Sequence, residues 1–310
     1  MPRFKRPTMP SCLPQQPKSP LKGTAVVLHR SCMAQRGFSL IELVIVIVIM
    51  GVLSAIVGIF IVQPVQGYLG TVARVELVNA TDNALRRIGR DLRIALPNSV
   101  RVAAGGLTLE LIPTTAGGRY YQDDATATAQ RLDFGVADAD GFNVMSPAVS
   151  MVAGQSLVFY NLGEGIIESD AYAATNTVTS NRRPYVGATN TAVTTIATGT
   201  WAALPVAARS APFRFQVVDQ PVSYHCDLAA QTLARFVGYG FNAAQVSPPV
   251  GGTSAILATG VTACRFTYDA TAIAARAGLV SMALTLQATL PGSGAEAVSL
   301  SHSVHVDNLP

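Results

Sequence analysis

Glu42 is the one ionisable side chain in the run GFSLIELVIVIVIMGVLSAIVGIFIV, from Gly37 to Val62. A carboxylate within an apolar stretch of membrane length costs roughly 2.5–3.5 kcal/mol to insert. It therefore calls for positive charge at its own depth. No Lys or Arg lies in the run, so the nearest source is a free amine at Phe38, created if the chain is cut after Gly37. The chemistry this stretch offers is hydrolysis of the 37–38 peptide bond, followed by pairing of the Glu42 carboxylate with the new amino terminus. A second pair, Cys226 and Cys264, offers thiol oxidation. Two cysteines in an exported chain usually join, and the alternative is two separate free thiols.

Other reactive residues are poorly placed for catalysis. The histidines are His29, His225, His302 and His305. His302 and His305 fall on opposite faces of a strand, as do the neighbours His225 and Cys226. Asp133-Phe134-Gly135 has the form of a kinase metal-binding triplet but lacks that enzyme's glycine-rich and catalytic loops. Gly238-Tyr239-Gly240-Phe241-Asn242-Ala243 is a partial dinucleotide pattern with no following helix. Asp138-Ala139-Asp140-Gly141 lacks the further ligands of an EF-hand loop. With Asp123 and Asp124 it reads as an acidic turn, a loose calcium site being the alternative. The expectation is a protein that is not an enzyme, with no metal and no cofactor.

These residues need elements to hold them. The 25 residues from Phe38 to Val62 are enough to cross a ~30 Å hydrocarbon core as a helix. Arg30 and Arg36 precede them, which favours a cytoplasmic amino-terminal side and an exported remainder. A plain signal anchor meets the same description. So does a secretory signal peptide cut near Leu53-Ser54-Ala55, although the apolar run continues past that point.

The string Arg36-Gly37-Phe38-Ser39-Leu40-Ile41-Glu42 resembles the leader junction of type IV prepilins. That family has Gly before the cut, Phe after it and Glu at the fifth mature position, as here. The resemblance implies cleavage between Gly37 and Phe38 by a prepilin peptidase, N-methylation of Phe38, and a role for Glu42 in subunit register and assembly. It also implies other pilin subunits and an inner-membrane assembly platform as partners. Residues 1–37 would be the leader. Residues 1–32 hold six of the 18 prolines and show no period, and Met33 opens a leader of ordinary length, so Met33 is a candidate true start.

The basic pI of about 9.0 misleads. Arg3, Lys5, Arg6, Lys18, Lys22, Arg30 and Arg36 all precede the junction, and no acid does. Without those seven, fifteen basic residues face eighteen acidic ones and no lysine remains. Phosphate binding needs clustered cations. Phe213-Arg214-Phe215 and the Arg86–Arg93 face do not make nucleic acid an expected partner.

From Thr71 to Leu96 the period is helical. Val75, Val78, Leu85, Ile88, Leu92 and Leu96 share a face, and Arg74, Arg86, Arg87, Arg90 and Arg93 supply much of the other. Pro64 is expected to bend or end the helix, and Pro97 to stop it. A helix over 38–96 follows, with 38–62 as transmembrane or filament core. From residue 97 to 310 short apolar or alternating runs lie between Gly, Pro, Asn and Asp. They include Val100–Val102, Leu107–Ile112, Arg131–Val136, Ser156–Asn161, Phe213–Val218, Val222–Cys226, Thr232–Tyr239, Ala263–Tyr268, Leu279–Ala288 and Val298–Val306. Asp170 to Thr200 reads as a surface loop or weak edge region. The fold class is α+β: a long hydrophobic-then-amphipathic helix packed on an antiparallel β-sheet domain, pilin-like.

Asp91 to Val102, Gln220 to Asp227, Thr262 to Asp269 and the ending HSVHVDNLP resemble minor pilins of the MshO type, from the mannose-sensitive haemagglutinin pilus system. This implies a single-pass inner-membrane protein with a periplasmic C-terminal domain. It would be assembled in or at the tip of a surface pilus for priming, adhesion or motility. The alternative is a J-like minor pseudopilin of a type II secretion system. A membrane-anchored enzyme is more remote.

Overall fold

The computed structural model describes residues 38–122, 130–138, 140–273, 277–290 and 294–310. They divide into two units, one ending at Gly58 and one running from Ile59 to Pro310. The described part of the first unit is helical from Leu40, and every large apolar side chain from Leu40 to Val57 is exposed. A helix with no polar face is at home in lipid or among other apolar helices, not in water. By length and composition the helix Leu40–Arg93 is long and apolar enough to cross a membrane. It runs unbroken through Pro64.

In the second unit the helix becomes one-sided. Leu77, Thr81, Ala84, Leu85, Ile88 and Leu92 are buried, while Val75 and Val78 are exposed. The buried stripe is thus set back from the one expected from the sequence. Eleven residues make about three turns, so Leu77, not Val78, lines up with Ile88. The helix also ends at Arg93, short of Leu96. The Leu96 amide donates to Ile112 O at 2.8 Å and the Thr114 amide to Ile94 O at 2.7 Å. Pairing with a strand therefore unwinds the last turn before Pro97 acts.

A five-stranded antiparallel sheet runs in the order Arg101–Val102, Thr108–Leu111, Val222–Asp227, Thr232–Val237, Thr253–Thr259. Its first two strands turn through Gly105-Gly106, both at positive φ. A meander of Val261–Ile273, Ala277–Leu290 and Gly294–Asp307 follows. The helix stripe, the sheet (Leu109, Tyr224, Leu233) and the meander (Phe266, Met282, Val304) share one core.

A second sheet is inserted between Thr108–Leu111 and Val222–Asp227. Its order is Arg182–Pro184, Ser156–Val158, Arg214–Val218, Thr114–Tyr120, Phe142–Met145, Thr195–Ile196. Its core is aromatic, with Tyr120, Phe142, Phe159, Trp201 and Phe215 in mutual edge or tilted contact. One sequence expectation fails here: Arg131–Val136 forms no strand. Of the two readings of Asp170–Thr200, the weak edge region holds, since Arg182–Pro184 and Thr195–Ile196 are the two edge strands of this sheet. Arg183 within that stretch is fully buried, and its guanidinium donates to the carbonyls of Thr177, Ser180, Arg182, Ala202 and Ala203. One side chain thus gathers a segment whose composition looks unstructured.

Candidate functional site

The residues at issue sit at the start of the helix. Gly37 lies outside the described residues. Phe38 and Ser39 precede the first helical turn, and Phe38 is fully accessible to a partner at 81% exposure. The Glu42 amide donates to Ser39 O at 3.1 Å and to Ser39 Oγ at 3.3 Å. Ser39 is therefore the N-cap, and Ser39-Leu40-Ile41-Glu42 has the S-x-x-E spacing of a capping box. This places Glu42 in the first turn, where the free amides and the helix dipole favour an anion. The signal for this cap in the sequence is the S-x-x-E spacing ahead of an apolar run. The same turn brings Glu42 near the chain end that a cut after Gly37 would create.

The second pair is joined. Cys226 and Cys264 form a disulfide with Cα atoms 6.3 Å apart. It ties the third strand of the five-stranded sheet to the first strand of the meander.

The charged groups of the β-rich unit hold elements together. Asp91, near the helix end, accepts from Tyr224 Oη at 2.6 Å and from Arg235 Nε at 3.1 Å. Burial pushes the Tyr224 hydroxyl well above its usual range, and the bond to Asp91 adds to this. Arg101 donates to Glu110 and Glu164, each at 2.7 Å, and to the carbonyls of Asn242 and Ala243. Its guanidinium also lies 3.6 Å from the centroid of Tyr172. Burial pulls Arg183 down to about 10, still charged at neutral pH. The contacts of Asp91 with Tyr224 and Arg235, and of Arg101 with Glu164, Asn242 and Ala243, are not local patterns in the sequence, because each joins residues far apart along the chain.

His225 Nδ1 is 2.7 Å from Thr108 Oγ1, and burial lowers its pKa against the pull of Asp227. Its neighbour Cys226 is buried in the disulfide. His302 packs against the helix at Gly89, whereas His305 is exposed. Asp138 accepts from the amides of Asp133, Asp140 and Gly141, which makes it the organiser of a turn. Asp123 and Asp124 lie outside the described residues.

Comparison with known proteins agrees with the helix start. The Prokaryotic N-terminal methylation motif matches residues 32–58. This motif supports a type IV pilin-like protein and implies processing by a prepilin peptidase and assembly with other pilins. No curated protein and no solved structure matches the chain.

Proposed function

We propose that the chain is a minor type IV pilin of the MshO type. A prepilin peptidase cuts it between Gly37 and Phe38, and Phe38 is N-methylated. Residues 38–62 hold it in the inner membrane with the remainder in the periplasm. From there it enters a pilus, in the shaft or at the tip, to prime assembly, adhere or support motility. Its work is structural, not catalytic.

One observation carries this reading: the methylation motif coincides with a helix start at which Phe38 is exposed and Glu42 occupies the first turn. The apolar helix behind it is exposed on all sides. A filament core of packed helices suits it as well as lipid does, so transfer between the two costs little. The Glu42 carboxylate would pair with the Phe38 amine of its own chain or a neighbour's, a contact of more value for register than for net stability.

The test is the sheared filament fraction of a producing host. The parent protein is expected in the filaments, and Glu42→Ala is expected to be cut normally but absent from them. A parent protein that never leaves the membrane, with loss of enzyme secretion when its gene is deleted, would replace this reading with a secretion pseudopilin.

A further inference from the structure

The outer face of the six-stranded sheet carries a recess of about 240 Å³, lined by Gly117, Arg119, Met145, Ser146, Arg214 and Gln216 among others. Strand register builds it. Met145, Arg119 and Arg214 stand abreast on three adjacent strands. Two residues along, Gly117 and Gln216 stand abreast. Side chains alternate across a strand, so Tyr120 and Phe215 enter the aromatic core while Arg119, Arg214 and Gln216 share the other face. Gly117 leaves that face without a side chain between them.

The electrostatics of this recess are unbalanced. Arg119 and Arg214 are both exposed and directly opposite, an arrangement in which like charges repel. Arg119 donates Nε to Pro212 O at 3.3 Å, which fixes its stem, and its terminal nitrogens have no hydrogen-bond acceptor among the described residues. Among the described residues no carboxylate forms an ion pair with either guanidinium, whereas Arg74, Arg86, Arg87, Arg101 and Arg235 each have one. Gln216 Oε1 is buried without a hydrogen-bond partner among the described residues. Among the described residues the recess therefore combines two guanidiniums that lack an ion-pair partner with the side chain of Gln216.

Guanidiniums bind carboxylate and sulfate oxygens through paired, charge-assisted hydrogen bonds. A side-chain amide hydrogen-bonds a hydroxyl. Drug-sized ligands fill about 300–1,000 Å³, so a recess of this size suits a single ring. We propose that the recess binds a hydroxylated anion of the class of an acidic sugar residue. Its carboxylate or sulfate lies between Arg119 and Arg214, and a ring hydroxyl meets the Gln216 amide group. The inference stands on the recess alone and does not rest on the pilin reading.

The test is ligand-observed NMR on the full chain in a neutral detergent, with glucuronate, glucose 6-sulfate, glucose and inorganic sulfate as probes. The two sugar acids are expected to bind and glucose is not. Arg214→Gln should weaken binding about tenfold or more, the effect of losing a charge-assisted hydrogen bond. Its melting temperature at low salt should equal or exceed the parent's, because a repulsion is removed. Gly117→Val should abolish binding while the sheet persists, since a Cβ there meets nothing closer than Phe215 O at 3.4 Å. Failure of both sugar acids to bind would overturn the proposal, as would binding unchanged in Arg214→Gln. Glucose or inorganic sulfate binding as tightly as glucose 6-sulfate would also overturn the sugar-acid assignment.

Discussion

Asp91 is 8% exposed and meets one cation from its own helix and one donor from each of two strands of the sheet. Arg87 approaches along the helix at 3.7 Å, Arg235 Nη2 at 3.0 Å and Tyr224 Oη at 2.6 Å from the sheet. A carboxylate so enclosed fixes how the helix sits on the strands. Removing it leaves a half-buried guanidinium and a buried phenol without their acceptor. Asp91→Ala is therefore expected to cost about 3 kcal/mol, read from the midpoint of a urea titration. A loss under about 1 kcal/mol, the ceiling for exposed pairs, would mean that the contact is not a structural lock. Glu42 is a different kind of residue. Its place in the first turn is explained locally by the Ser39 cap and the helix dipole. That local account leaves the carboxylate available to an amine.

The elements differ in how openly the sequence displays them. The helix was legible because an apolar run and an apolar stripe are local patterns. The meander was legible for the same reason: its strands contain Ala263–Tyr268, Leu279–Ala288 and Val298–Val306 as expected, but extend further. Thr114–Tyr120 was not legible. Its sequence TTAGGRY has few strand formers, and its pairing with Arg214–Val218 spans a hundred residues of chain. Arg182–Pro184 falls in the stretch that reads as a surface loop or weak edge region and is an edge strand, but its exact place was hidden because a buried arginine bonded to backbone carbonyls leaves no local pattern. The division of the strands into two sheets was hidden too, since strand spacing does not encode which strands share a face. Between elements the disulfide is the strongest single tie. It closes a loop with a sequence separation of 38, for which chain entropy gives roughly 4 kcal/mol. Reduction, or Cys226→Ser with Cys264→Ser, should lower the unfolding free energy by about that amount. An unchanged urea midpoint would show that hydrogen bonds such as that from the Phe266 amide to Gly106 O hold the meander by themselves.

For the molecule as a whole, the buried tyrosines set an alkaline limit. Burial pushes Tyr120 up to about 12. It raises Tyr172, Tyr224 and Tyr239 as well, with nearby carboxylates adding to the shift. A tyrosine with a raised folded pKa keeps its proton after the unfolded chain has lost its own. Its contribution is complete below about pH 10 and falls by about 1.4 kcal/mol per pH unit from there to its folded pKa. The β-rich unit should therefore unfold cooperatively above about pH 10, with tyrosinate absorbance appearing together with loss of structure. Tyrosinate forming while the fold persists would contradict these burials.

The central claim is that the amino-terminal stretch is processed as a pilin leader. Its most direct test is the intact mass of the protein purified from membranes of a host that retains its prepilin peptidase. The account predicts a chain beginning at Phe38, carrying one added methyl group and lacking the two thiol hydrogens of Cys226 and Cys264. A chain that is uncut, or that begins near Ile56, would contradict it and leave a signal anchor or a secreted β-rich protein in its place.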